Sequence, residues 1–253
     1  MEPIGFFSTL LGQQAIAIAT GVGNELYAAM FRVWPVGWIY RHRGDLHSAG
    51  EQVVQALAVF ERLGNEPFVA HAKRQLGRIL QERGELEHAK RLFEEALAFY
   101  RSSGDRQFAY FVTANIADVA LEQGDLDTAW RLSNDVLVSA RQLNDLERVA
   151  RSLNILGGVA SQRGNLQQAR EFWEEALSNV KRVNRFDEIA DALRKLAQIE
   201  IDAGKKQIAR QMLMEALEIY RRLDMQSRIQ EVEVFLAELS ESTDGGDEKL
   251  KPC

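Results

Sequence analysis

Residues 41–50 read RHRGDLHSAG, and their centre, RGDL at 43–46, returns as RGEL at 83–86, QGDL at 123–126, RGNL at 163–166 and, weakened, AGKK at 203–206. Gly44, Gly84, Gly124, Gly164 and Gly204 therefore stand forty residues apart. A fixed period of roughly 20 to 50 residues marks an array of supersecondary units, none of which buries its apolar face alone. Arg43-Gly44-Asp45 is also the tripeptide that adhesion ligands present to cell-surface receptors. The array weighs against that reading: the glycine persists while its neighbours drift to Gln123, Ala203, Glu85, Asn165 and Lys205.

Five residues after each glycine comes an alanine (Ala49, Ala89, Ala129, Ala169, Ala209), and twelve and thirteen after it come Ala56-Leu57, Ala96-Leu97, Val136-Leu137, Ala176-Leu177 and Ala216-Leu217. These offsets share one face of a 3.6-residue helix. Val53, Phe93, Trp173 and Leu213 complete the stripe, with Ser133 the exception. Seven residues before each glycine lies a small residue, Gly37, Gly77, Ala117, Gly157 or Ala197, where two helices can approach closely. Each unit thus predicts helix, tight turn, helix. The glycine supplies a left-handed turn that other residues enter at a cost of about 1 kcal/mol. Asp45, Asp125 and Asn165 then suit the N-cap of the second helix, where a side-chain oxygen accepts from orphan backbone N–H groups.

Composition agrees with an almost wholly helical globular chain: of 253 residues 46% are hydrophobic and 27% charged, and only four are proline. A net charge of -6 argues against a dedicated nucleic-acid binder, which would carry a basic excess. The single cysteine, Cys253, forms no intramolecular disulfide and makes a reducing, cytoplasmic location the expectation.

The spacing of small residue, Gly-Asp/Asn-Leu and the two alanines resembles the tetratricopeptide repeat, over about residues 24 to 241. The forty-residue period is similar to the longer variant found in kinesin light chains, spindle-orientation adaptors and sensor regions of bacterial signalling regulators. The resemblance implies an all-α, right-handed α-solenoid of stacked antiparallel helix pairs. It divides the chain into repeats at 24–63, 64–103, 104–143, 144–183 and 184–223, a capping helix at 224–241 and a disordered tail at 242–253. The extra residues are expected to lengthen the segment between repeats, as at Leu63-Gly64-Asn65 and Ser103-Gly104-Asp105-Arg106. The family's early tryptophan is absent: Val33, Lys73, Thr113, Leu153 and Leu193 hold that position. Pro35 is expected to kink or restart the first helix of the first repeat.

Residues 1–23 form a separate apolar segment, uncharged from Pro3 to Asn24. It lacks the basic start of a signal peptide. It reads as a half-repeat docking on the first helix pair, or as a membrane or partner contact through residues 4–23.

No phosphate-binding loop, nucleophile elbow, HExxH zinc motif or cysteine cluster occurs, and no catalytic residue, cofactor or metal is expected. Gly204-Lys205-Lys206 sits at a repeat turn, and His42 and His47 offer too few ligands for a metal site.

In the family the concave face, lined by the first helix of each pair, carries function. By position, the resemblance places Phe31, Trp34 and Trp38 there in the first repeat, and His71, Arg74 and Arg78 in the second. Phe111, Asn115 and Asp118 follow in the third, Arg151 and Asn154 in the fourth, Asp191 and Arg194 in the fifth. Some members clamp a peptide carboxylate with lysine, asparagine and arginine; here Arg74, Asn115 and Arg151 keep the type, whereas Arg78 and Ile155 depart from it. The resemblance implies a non-enzymatic scaffold or adaptor gripping an extended or helical, acidic segment of another protein, with arginines on carboxylates and an apolar anchor at Trp34 and Trp38. The alternatives are a membrane-attached assembly factor and a sensor module. The competing view of the arginines is that each pairs with a neighbouring acid on a solvated face.

Overall fold

The structure, a computed structural model, describes residues 4–244. Among the described residues there is no strand. Helix α1 (Ile4–Gly21) is followed by α2 (Glu25–Phe31), a π-helical turn (Arg32–Gly37) and α3 (Trp38–His42). Then come α4 (Leu46–Arg62), α5 (Glu66–Glu82), α6 (Leu86–Ser102), α7 (Arg106–Glu122) and α8 (Leu126–Gln142). The array continues with α9 (Leu146–Gln162), α10 (Leu166–Arg182), α11 (Phe186–Asp202) and α12 (Lys206–Arg222), and ends with α13 (Gln226–Asp244). They stack as a right-handed α-solenoid of antiparallel pairs.

Helices α4 to α12 are each 17 residues long and every link between them is three residues, so the forty-residue period is two equal halves of helix and turn. The expectation of a longer link between repeats is therefore corrected. Residues 63–65 form as short a turn as 83–85, and Arg106 opens α7 instead of lengthening a loop. The additional residues of the long period extend the helices.

One turn chemistry serves all of these links. The middle residue is left-handed, as at Gly44 (φ 80°), and at the alternate links glycine gives way to Asn144 (φ 52°), Asn184 (φ 54°) and Asp224 (φ 55°). The next residue closes the preceding helix, as when the Asp45 backbone N–H donates to the Tyr40 carbonyl at 3.0 Å, and at once caps the following one. Asp45 Oδ1 accepts from the Ser48 N–H at 3.0 Å, and Asp125 and Asn165 repeat the contact at 3.1 Å. Each such cap contributes about 1 kcal/mol.

The core follows the repeat stripe. Ala49, Ala89, Ala129, Ala169 and Ala209 are fully buried, as are Phe93, Ala96, Ala176 and Ala216. Small residues on each first helix receive the large ones on its partner. A Cβ on Gly77 would stand 2.7 Å from a Phe93 ring carbon, and one on Gly157 2.6 Å from Trp173 Cδ1.

Around Pro35 the α-helix gives way to a π-helical turn and restarts at Trp38. The backbone stays helical on both sides of it, with φ/ψ of −64°/−40° at Arg32 and −62°/−39° at Gly37. From Glu25 to His42 the helix has one residue more than its later counterparts, and the left-handed positions Gly23 and Gly44 lie 21 apart instead of 20. The π turn absorbs that extra residue, and its wider ring accommodates the proline that lacks an N–H.

At the N-terminal end α1 docks on the first repeat through Ile16 and Ala19, which are buried with Ala28 and Val36. Its other side leaves Leu11, Ile18 and Val22 exposed at 62%, 68% and 74%. No helix of the described residues is long and apolar enough to cross a membrane. At the far end α13 buries Val232 and Leu239 and runs to Asp244, so 242–244 are helical rather than part of a tail. The expected disorder of 245–253, with Cys253, lies outside the described residues.

The superhelix closes on itself. Arg43 Nε lies 3.5 Å from Asp224 Oδ2, and a Cβ on Gly44 would sit 3.7 Å from Ser227 Cβ. The first repeat's turn thus touches the turn before α13, and the concave faces of all repeats converge on one axial channel.

Candidate functional site

The channel encloses about 720 Å³. Seven of the groove residues read from sequence line it: Trp38, Arg78, Asn115, Asp118, Arg151, Asp191 and Arg194. The turn glycine Gly44 lies at its rim. The other six, Phe31, Trp34, His71, Arg74, Phe111 and Asn154, do not line this cavity. Phe31 packs beside the Ile16 and Val36 cluster beneath α1. Trp34 stacks on His71 with ring centroids 4.5 Å apart, and Phe111 lies under the Arg148 guanidinium at 5.6 Å. Asn154 accepts the Trp173 indole N–H on its backbone carbonyl at 3.1 Å. Arg74 sits one helical turn from Arg78 on α5, outside the cavity wall.

Several lining residues were not singled out from the sequence. Arg41, Glu82, Glu122 and Lys195 each lie within four residues of a groove position, so the signal was present as one more turn of the same helical stripe. Ser227 and Arg228 arrive only because the superhelix closes, which no local pattern announces.

The arginines divide into two kinds. Arg151 contacts Asp118 at 3.3 Å; with the Asn115 amide oxygen facing it, it also donates to Asn115 at 2.9 Å while Asn115 Nδ2 donates to the Phe111 carbonyl. Asn115, 1% exposed, is thereby satisfied within the wall. Arg194 pairs with Glu231 at 2.9 Å, and Arg41 pairs with Glu82. Arg185 is shared among Glu147, Asp187 and Glu188.

Arg74 and Arg78 have no such partner among the described residues, and Arg74 Nε is buried without any acceptor. Burial, reinforced by Arg151 and Arg41, pulls the Arg74 guanidinium down to about 10. Burial together with Arg41, Arg151 and Arg74 pulls Arg78 well below its usual range. A guanidinium stays protonated in a protein. Both therefore stand as charged, half-buried groups without an ion-pair partner among the described residues.

Burial leaves both neighbouring imidazoles neutral. His71, 9% exposed, is held down to about 3 by burial and by the Arg74 and Arg78 charges. His42, stacked on Trp38 at 3.9 Å, is held at about 4 by burial and then Arg41. Conversely, burial pushes the Glu188 carboxyl up to about 7, and its Oε2 has no donor.

A smaller recess of about 160 Å³ opens beside the channel between Trp173, Ile201, Leu213 and Phe235, with Arg194 and Lys195 at the shared wall. It is a second apolar surface, at the opposite end of the array from Trp38. Among the described residues no group of three or more His, Cys, Asp or Glu is placed to hold a metal ion. The arrangement offers cationic donors, carboxylates and apolar walls around an open path, which suits binding.

Comparison with known proteins agrees with this architecture. The MalT-like TPR region model matches residues 10–142, and the tetratricopeptide repeat model matches residues 110–182 and 148–222. No curated relative matches the chain in sequence. In fold the chain is similar to NprR, solved in complex with its cognate peptide NprX, at 14% identity and TM-score 0.73 over 100% of this chain and 76% of that one. It is similar to the apo form of RapI at 16% identity and TM-score 0.73, over 87% of this chain and 78% of that one. A kinesin light chain of Podosopora anserina with nearly identical TPR-like repeats shares 20% identity at TM-score 0.50, over 73% and 91%. Identities this low speak for the fold alone. With five in-register repeats and a family model spanning residues 10–142, the chain belongs to the tetratricopeptide repeat family, in its MalT-like form.

Proposed function

We propose that this chain is a non-enzymatic interaction module that holds an extended segment of another protein inside the axial channel. The observation that carries the reading is closure: contact of the Arg43-Gly44 turn with Asp224 and Ser227 turns an open concave face into a channel of about 720 Å³. That volume lies within the range of roughly 300 to 1,000 Å³ typical of ligand sites. A chain threaded there meets Trp38 and the guanidinium donors of the wall, with the Trp173 recess opening beside it. NprR, which has a similar fold, was solved in complex with its cognate peptide NprX, which supports a peptide as the ligand class. A cytoplasmic location suits a chain whose only cysteine is Cys253.

Gln81 lies on the channel wall, where its amide donates to Glu122 at 2.6 Å, and Gln81→Trp would fill the channel from an exposed hydrogen bond rather than from the core. Panning a displayed library of random peptides should enrich binders that the wild type retains and Gln81→Trp loses. Enriched peptides that bind both forms equally would place recognition elsewhere and refute the reading.

A second reading is favoured by the outward face of α1, where Leu11, Ile18 and Val22 are exposed on a helix without charge. In it, α1 lies on a membrane surface and attaches the module there. Flotation with neutral vesicles should then carry the full chain but not a form starting at Asn24; equal behaviour of the two removes it.

A further inference from the structure

Arg74 and Arg78 lie at positions i and i+4 of α5, so their side chains leave the same helix face with Cβ atoms about 6 Å apart. Arg78 reaches the channel wall, and Arg74 lies one turn nearer the Trp34 and His71 stack. The acids that could serve them are already engaged, Glu82 by Arg41 and Asp118 by Arg151. Moving either acid would leave another channel arginine unpaired. Neighbouring groups do not relieve the charge: His71 is neutral and bonded to Gln75 at 3.1 Å, and Asn115 is used by Arg151 and Phe111. Arg78 on the wall and Arg74 one turn outside it therefore have no ion-pair partner of their own among the described residues, beside Arg41 and Arg151, whose acids are already taken.

We infer that Arg74 and Arg78 form a dianion subsite, and that the segment bound in the channel carries a phosphate monoester that docks between them. This rests on the channel reading above and narrows its ligand. A single carboxylate would neutralise one of the two guanidiniums and leave the other uncompensated. A phosphate monoester brings close to two negative charges and three acceptor oxygens at one atom, which lets both planar forks bind bidentately at once. Burial first, and then the charges of Arg151 and Arg41, depress both guanidiniums, as expected of a site completed by an incoming anion.

The test uses the full chain and the double variant Arg74→Gln, Arg78→Gln, which removes repelling charges and should fold at least as stably as the wild type. In thermal denaturation at fixed ionic strength, replacing chloride by inorganic phosphate should raise the wild-type midpoint by more than the general salt effect seen in the double variant. Immobilised degenerate peptide libraries with phosphoserine, serine or glutamate at one fixed position should retain wild type in the order phosphoserine over serine by at least tenfold, with glutamate between. The double variant should lose that preference. Equal retention on phosphoserine and serine, abolished by Gln81→Trp, would overturn the dianion subsite while leaving the channel reading intact. Retention on all libraries that ignores Gln81→Trp would sink the channel reading itself. Glutamate matching phosphoserine would overturn the phosphate assignment in favour of carboxylates. A response to inorganic phosphate with no library preference would mean a free anion and would overturn the claim that the bound segment carries it.

Discussion

Gly157→Ala should destabilise the array, although alanine is the better helix former. Gly157 on α9 faces Trp173 on α10, and an added Cβ would stand within 2.6 Å of the indole. The indole N–H donates to the Asn154 carbonyl at 3.1 Å, and the Lys195 ammonium lies 5.9 Å above the ring, so the ring cannot shift without giving up both contacts. Overpacking of this kind costs about 1 to 3 kcal/mol and a lost hydrogen bond about 1, against a propensity gain of about 1. The net loss is about 1 to 3 kcal/mol, which in a chain of this size lowers the thermal midpoint by about 2 to 4 °C per kcal/mol. The same pair of positions one repeat later holds Ala197 and Leu213, both buried. Trp173→Leu should therefore rescue Gly157→Ala: alone it leaves a cavity and destabilises, but in the double variant it recreates the Ala197/Leu213 arrangement. Urea unfolding of the four proteins of this double-mutant cycle should show a coupling of at least about 1 kcal/mol. Strict additivity, or a Gly157→Ala protein more stable than the parent, would refute the reasoning.

The remaining predictions follow from charge and turn geometry. Glu188 is pushed from 4.5 to about 7, so the fold favours its protonated form, and the stability this contributes is full below pH 4.5 and lost as pH rises through 7. Glu188→Gln should match the wild type at pH 4.5 and exceed it above pH 7 by at most about 3 kcal/mol, read from urea midpoints across that range. His71 behaves oppositely: held down to about 3 and neutral in the fold, it should cost stability as pH falls below 6.5, and His71→Gln should blunt that loss. Replacing Arg74 and Arg78 by Gln in the absence of any anion should raise stability by about 0.5 kcal/mol through relief of like-charge repulsion, measured by thermal denaturation. Gly44→Val forces a β-branched residue to φ 80° beside Ser227 and should lower stability by more than about 2 kcal/mol, whereas Asp45→Ala loses only the cap to Ser48, about 1 kcal/mol.

How much was readable in advance depended on whether a feature repeats. Gly44 and its four echoes, and the alanines five residues on, recur without exception, because each solves the same local problem of turning and packing. The alternate turns were harder to see. Gly64 and Gly104 share their left-handed position with Asn144, Asn184 and Asp224, residues whose short polar side chains tolerate it at modest cost, so the identity changes while the conformation does not. The π turn at Arg32–Gly37 is a single-residue insertion in one helix only, invisible without comparing that helix's length with the others. At the site, position in the repeat picked out Arg78, Asn115, Arg151 and Arg194, which line the channel, yet it could not separate paired from unpaired cations. The view that each arginine pairs with a neighbouring acid fits some of these residues and not others. Arg151 and Arg194 find acids on neighbouring elements, and Arg74 and Arg78 do not, a distinction set by contacts between residues 33 and 37 positions apart.

A structure of the full chain with a phosphoserine library peptide bound tests the central claim most directly. The expected result is a peptide running through the channel past Gln81, with its phosphate between the Arg74 and Arg78 guanidiniums and the Arg43 to Asp224 closure in place. A peptide seated on the convex helices or on α1, with the channel walls as they stand here, would contradict it.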